Sequence, residues 1–318
     1  MSGAGAPELQ RFGHAQGNVL APSKNSAEME TSTIARVKPR MLVRATVRPA
    51  QQRYRGMPVP QPGAERICSP AGLTRRPWLQ RLRRALSDDL FVLHYQPIVS
   101  LADGRVTHYE ALLRLADEPD GRVIGPACFL PAAERNGLIR EIDRTVIEQV
   151  AARLGGDRDL SDAGIAVNLS ALSVVDRDML AFIAHALERH SVDPARLVIE
   201  VTETASISDM PRARAFCVGV HELGCAIALD DFGAGFGSFH YLKHLPFRYL
   251  KIDGAFIRGL PGSAHDQLVV RALVGIVREM GQQTIAEFVG DRATLELLRE
   301  YGVDYAQGFE VGRPGPLP

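Results

Sequence analysis

The chain has 318 residues, 46% of them apolar, and a formal net charge of zero. That length suits one domain of roughly 250 residues with an appendage, or two ordinary domains. No apolar run reaches the ~18–20 residues of a membrane span, and no basic patch followed by an apolar stretch marks a secretory signal. No membrane span is therefore expected, and the expected location is the cytoplasm.

Residues 1–75 are rich in Pro, Gly, Gln, Ser and Arg and carry 11 Lys/Arg against 4 Asp/Glu; the rest of the chain carries 26 against 33. No period of 2 or 3.6 runs through this stretch, so it is expected to be a disordered basic tail. Its basic residues are dispersed, with few aromatics between them, and no nucleic-acid partner is expected. The folded domain is expected over 76–318. It opens on a helix at Trp78–Ser87, where Trp78, Leu82 and Leu86 recur every four residues.

Short β-prone runs then alternate with helical stretches. The runs are Phe91–Val99, Arg105–Leu113, Gly164–Leu169, Leu197–Thr202, Cys225–Asp230, Tyr249–Ile252, Gln283–Phe288 and Tyr305–Phe309. Ile142, Val146, Val150 and Leu154 make one helical stripe. Leu268, Ala272, Leu273, Ile276 and Met280 make a second. Leu295, Leu298 and Tyr301 line a third helix that Gly302 can cap. Eight strands spread over about 240 residues predict an α/β fold, a (β/α)8 TIM-like barrel; a doubly wound open sheet has the same count. Only Ser100–Gly104 joins the first two runs, too short for a helical crossover, so they should pair antiparallel. Cys68, Cys128, Cys217 and Cys225 are scattered, with no C-x-x-C pair, and are expected to be free or buried thiols.

A barrel places its active site at the C-terminal ends of its strands, and polar residues sit there. Glu110 lies in the second run, Asn168 follows Ala166-Val167, and Glu200 follows Leu197-Val198-Ile199. Asp230 and Asp231 follow Ala226–Leu229, Lys251 precedes Ile252, Glu287 follows Thr284-Ile285-Ala286, and Gln307 follows Tyr305-Ala306. A single such residue fits a structural ion pair. Five carboxylates beside one lysine would repel one another unless divalent cations neutralised them. All-oxygen donors point to Mg2+ or Mn2+. Two adjacent aspartates suit a two-metal site for phosphate-ester hydrolysis.

The same residues carry a resemblance. Tyr95-Gln96-Pro97-Ile98-Val99, Tyr109-Glu110-Ala111-Leu112-Leu113-Arg114, Val167-Asn168-Leu169-Ser170, Ile199-Glu200-Val201-Thr202-Glu203, Asp230-Asp231-Phe232-Gly233, Leu250-Lys251-Ile252-Asp253, Ala286-Glu287 and Gln307-Gly308-Phe309 follow in this order. Over about residues 80–315 this resembles the EAL domain of bacterial cyclic diguanylate (c-di-GMP) phosphodiesterases. The resemblance implies a barrel whose first strand is antiparallel. It implies that Glu110, Asn168, Glu200 and Asp230 hold a first metal and that Asp230 bridges to a second, completed by Asp231 and Glu287. Lys251 would position water or phosphate. Gln96, Arg114 and Gln307 would lie toward the substrate, Arg114 as a phosphate clamp, and Glu203 would steady the loop after the aspartates. Glu110, Lys251, Asp231 and Glu287 would then be the catalytic set. The implied reaction opens c-di-GMP to linear pGpG, in a homodimer. The other function open to such a domain is a catalytically weak c-di-GMP receptor that signals through a partner.

Two stretches depart from the family pattern. The usual Asp-Phe-Gly-Thr-Gly-Tyr-Ser-Ser reads Asp231-Phe232-Gly233-Ala234-Gly235-Phe236-Gly237-Ser238, without three hydroxyls. The usual Ala-Glu-Gly-Val-Glu reads Ala286-Glu287-Phe288-Val289-Gly290. His240 and His244 lie four apart but have no third ligand, so a surface or capping role is expected.

Overall fold

The computed structural model describes residues 75–116, 123–156, 160, 162–202, 209–233 and 242–317. Residues 1–74 of the expected tail, Glu203, His240 and the altered loop at Ala234–Gly237 lie outside them.

Helix α1 (Arg75–Ser87) leads into β1 (Phe91–Ser100) and β2 (Val106–Leu115). Helices α2 (Leu130–Arg135) and α3 (Ile139–Gly156) precede β3 (Gly164–Leu169). Helices α4 (Ala171–Val174) and α5 (Met179–His190) follow it and lead to β4 (Leu197–Thr202). Next come α6 (Met210–Glu222), β5 (Ala226–Phe232), β6 (Tyr249–Ile252), α7 (Gly254–Ile257), α8 (Ala264–Glu279), β7 (Gln283–Ala286), α9 (Arg292–Tyr301) and β8 (Tyr305–Gln307). The strands close into one barrel in chain order. β1 is antiparallel to both its neighbours, β2 and β8. The remaining pairs are parallel. The closed ring excludes the open-sheet alternative. No described helix is long and apolar enough to cross a membrane.

Alternation along each strand sorts its side chains. Ile98, Ala166, Val198, Ala228, Tyr249 and Ile285 form one buried cluster inside the barrel. Their outward neighbours, such as Ile165, Val167, Ile199 and Leu250, join the larger core beneath the helices. His108, Tyr249 and Tyr305 meet edge to face at 5.3 to 6.1 Å and close the barrel floor. Burial, with Arg248 nearby, pushes the His108 pKa down to about 4, so this plug is neutral at pH 7. A third cluster, around Trp78, Leu82, Phe91, Phe129 and Ile142, ties α1 to the barrel.

The α3 stripe is buried as its period predicts, and α9 ends at Gly302 with φ 75°. Of the expected α8 stripe only Leu273 meets the core, beside Val270, Val274 and Val277, while Leu268 (61% exposed), Ala272, Ile276 and Met280 face outward. Two apolar stripes run along this helix, and periodicity alone does not say which meets the strands. The cysteines also need one correction. Cys217 and Cys225 are buried free thiols, but Cys128 is disulfide-bonded; linear spacing does not encode which cysteines meet in space.

The tops of β7 and β8 are strapped together: Val289 N–H donates to Gln307 O at 3.0 Å and Glu310 N–H to Val289 O at 3.1 Å. Gly308 makes the close approach possible. It sits at φ 156°, and a Cβ there would lie 2.2 Å from Val289 O and 2.3 Å from Val289 N. Gly308→Ala must part backbone from backbone. It should destabilise the domain by about 1–3 kcal/mol, read as a lower urea midpoint; an unchanged midpoint would contradict this packing.

Candidate active site

The period of 2 that builds the barrel core also builds the site. Two residues beyond the inward Ala166, Val198, Ala228, Tyr249, Ile285 and Tyr305 lie Asn168, Glu200, Asp230, Lys251, Glu287 and Gln307. On β2 the step runs from His108 to Glu110. On the reversed β1 it runs backward, from Ile98 to Gln96, which pairs with Glu110. One polar layer therefore sits on an apolar one, at the C-terminal mouth of the barrel.

Asp231 breaks this alternation. A regular strand would point it away from Asp230. Instead its φ is 56°, and the β5–β6 register shifts between Leu229 and Phe232. Asp230, Asp231 and Glu287 thereby each bring a carboxylate oxygen within 4.8 Å of the others.

Lys251 is the centre of the layer and is 1% exposed. Its Nζ lies 2.8 Å from Glu200 Oε2, 2.9 Å from Asp230 Oδ1, 2.8 Å from Glu287 Oε1 and 3.6 Å from Glu110 Oε2. Burial works against the charge on Lys251, but Asp230, Glu110, Glu200 and Glu287 outweigh it and hold its pKa well above the ordinary lysine value. Glu110 is gripped by two amides, with Asn168 Nδ2 donating to Oε1 and Gln307 Nε2 to Oε2. Gln307 Nε2 also donates to Gln96 Oε1 at 3.2 Å, and Gln96 Nε2 to Gly312 O at 3.1 Å. Arg114, buried on the same face as Glu110, donates from Nη1 to Leu113 O. The structure thus brings together Glu110, Asn168, Glu200, Asp230, Asp231, Lys251, Glu287, Gln307 and Gln96, with Arg114 farther out along β2.

One ammonium cannot balance five carboxylates. Burial, then Glu110, raises the Glu200 pKa well above the usual range. Burial likewise pushes Glu287 up to about 7, and burial and Asp230 raise Asp231. Glu200 Oε1 is buried without a hydrogen-bond partner among the described residues, and Asp230 Oδ1 meets Lys251 as an ion pair without hydrogen-bond alignment. Orphaned buried oxygens in an excess of negative charge fit a divalent cation, and a donor set of carboxylates and a carboxamide fits a hard one.

Two groups near the site have weaker sequence signals. Asp143 on α3 accepts from Ser170 N at 3.1 Å and Ser170 Oγ at 2.6 Å, pinning the turn two residues after Asn168. Its signal is a carboxylate beside the apolar stripe of α3, at a position that proves buried. His94 lies on the face of β1 that carries Gln96. Burial, then Arg114, pushes its pKa down to about 4, so it is neutral at pH 7.

A metal-linked pH dependence follows. Glu200 and Glu287 have raised pKa values in the fold, so folding takes up protons between about pH 4.5 and 7, and their contribution to stability falls as pH rises through that window. Lys251 stays charged in both states there and adds no slope. A divalent cation held by the cluster would remove this loss, so the gain in Tm from saturating divalent cation over EDTA should grow from about pH 5 to 7.5. A gain independent of pH would contradict it.

Comparison with known proteins places the chain in a family. Residues 79–314 match the family model described as EAL domain. The chain is 38% identical over 242 residues to the cyclic di-GMP phosphodiesterase PdeB of Shewanella oneidensis, covering 76% of this chain and 28% of that protein. It is 39% identical over 240 residues to the bifunctional diguanylate cyclase/cyclic di-GMP phosphodiesterase MucR of Pseudomonas aeruginosa, covering 75% and 35%. The chain thus spans about a third of the length of these curated relatives. Among solved structures it resembles the PaMucR phosphodiesterase in complex with c-di-GMP, with TM-score 0.71, 38% identity and coverage of 76% and 98%. It also resembles the FimX EAL domain from Pseudomonas aeruginosa bound to c-di-GMP, with TM-score 0.70, 32% identity and coverage of 75% and 96%. With a family model matched over most of its length and its barrel shared with these structures, the chain belongs to the EAL domain family.

Proposed function

We propose that the domain is a metal-dependent phosphodiesterase that hydrolyses c-di-GMP to linear pGpG. The observation that carries the reading is the complete set of oxygen donors converging around Lys251 at the barrel mouth. Glu110, Asn168, Glu200 and Asp230 would hold one ion, and Asp230, Asp231 and Glu287 a second, each Mg2+ or Mn2+. When bound, such ions lower the pKa of water and neutralise charge developing on phosphoryl oxygens.

The chain's own groups supply the rest. Lys251, whose Nζ contacts Glu200, Asp230 and Glu287, acts as a charge and a donor that positions water and phosphate. Gln307 and Asn168 fix both oxygens of Glu110, which keeps that carboxylate from turning away. Asp143, through Ser170, holds the strand exit that presents Asn168. Gln96, within the layer, and Arg114, farther out along β2, meet the dinucleotide, Arg114 with a charge complementary to phosphate. In the reaction the water oxygen bonds to phosphorus and the P–O3′ bond breaks. A 5′-phosphate and a free 3′-hydroxyl remain, which is pGpG.

The test is incubation of purified protein with c-di-GMP and Mn2+ or Mg2+, with products separated chromatographically. The expected product is pGpG. Glu110→Ala should lower turnover by more than about 100-fold, beyond the 10–100-fold usual for outer contacts of a metal site. Binding of c-di-GMP without product at any metal concentration would favour the receptor function and overturn this one.

A further inference from the structure

Phe288 is the residue after Glu287, at the position where the family pattern carries glycine. Its φ is 54°, in the left-handed region. For a bulky side chain that backbone is a genuine outlier, and glycine would be relaxed there. The ring gains little burial in return, since the residue is 51% exposed. Strain kept at the rim of a site points to a use for the side chain.

The surroundings show what that use is. The ring lies on α7. A Cβ at Gly254 would come within 2.3 Å of Phe288 Cδ2, so only glycine leaves room for the ring. Arg258, four residues on, places its guanidinium 4.1 Å from the ring centroid. Gly254 and Arg258 stand one helical turn apart on the same side, so both back the ring from the α7 side. The ring also bridges the exits of β6 and β7, whose Lys251 and Glu287 meet at 2.8 Å. It therefore stands at the rim of the polar layer, on the side where Lys251 and Glu287 meet. An exposed aromatic ring backed by a cation, at the edge of the site proposed to take the phosphodiester, is the chemistry that stacks a nucleobase.

We propose that Phe288, seated on Gly254 and backed by Arg258, is the stacking platform for one guanine of the cyclic dinucleotide, and so a specificity-determining residue of this chain. This rests on the phosphodiesterase reading. The test compares wild type, Phe288→Gly and Phe288→Trp in kcat and KM for c-di-GMP, in Tm and in solution mass. Phe288→Gly should raise KM at least about fivefold, the lower range of a base–aromatic stack, with a smaller change in kcat. Its Tm should stay the same or rise, because glycine relaxes the backbone. Phe288→Trp should return KM to within about twofold of wild type. An unchanged KM in Phe288→Gly overturns the platform, as does equal loss of kcat and Tm, which would mark a packing residue. A change in solution mass without a change in KM overturns it in favour of an interface between copies. A wild type that neither binds nor hydrolyses c-di-GMP overturns the phosphodiesterase reading and the platform with it.

Discussion

The structure depends on a charge that its own side chains do not balance. Five carboxylates converge at the mouth of the barrel, and Lys251 touches four of them. Removing a carboxylate from water costs several kcal/mol unless a partner restores what water supplied. Lys251 restores part of it. The raised pKa values of Glu200 and Glu287 express the remainder. The layer can discharge that excess by taking up protons or by binding cations.

The fold is what makes so crowded a layer possible. Alternation places a polar residue two positions above each inward apolar one, and ring closure aims those positions at one axis. The β1 reversal lets Gln96 enter the layer from the opposite chain direction, and the β5 irregularity lets two adjacent aspartates serve one site. Below the layer, His108, Tyr249 and Tyr305 fill the floor. Strapping of β7 to β8 over Gly308 holds Gln307 where it grips Glu110.

Much of this was legible in the sequence because strand period and strand-end polarity are local signals. The eight runs fell on the eight strands, and the short Ser100–Gly104 link correctly implied the antiparallel hairpin. The donors showed as charges ending apolar runs. What failed was long-range. Leu268, Ile276 and Met280 have the spacing of a core stripe and face outward, because a helix with two apolar faces needs a neighbour to choose between them. The bonded state of Cys128 has no linear signature. Asp143 looks like an ordinary helix carboxylate until Ser170 is brought to it. Phe288 showed in the sequence as a departure from the family's glycine, but its positive φ and its Gly254 seat came only with the fold.

Titration calorimetry of the EDTA-stripped protein with Mn2+, in two buffers of different ionisation enthalpy, tests the charge balance directly. The expected result is two ions per chain, with proton release near neutral pH as cations displace protons from Glu200 and Glu287. Absence of binding, or binding undiminished when Asp230 and Glu287 are both changed to their amides, would contradict it.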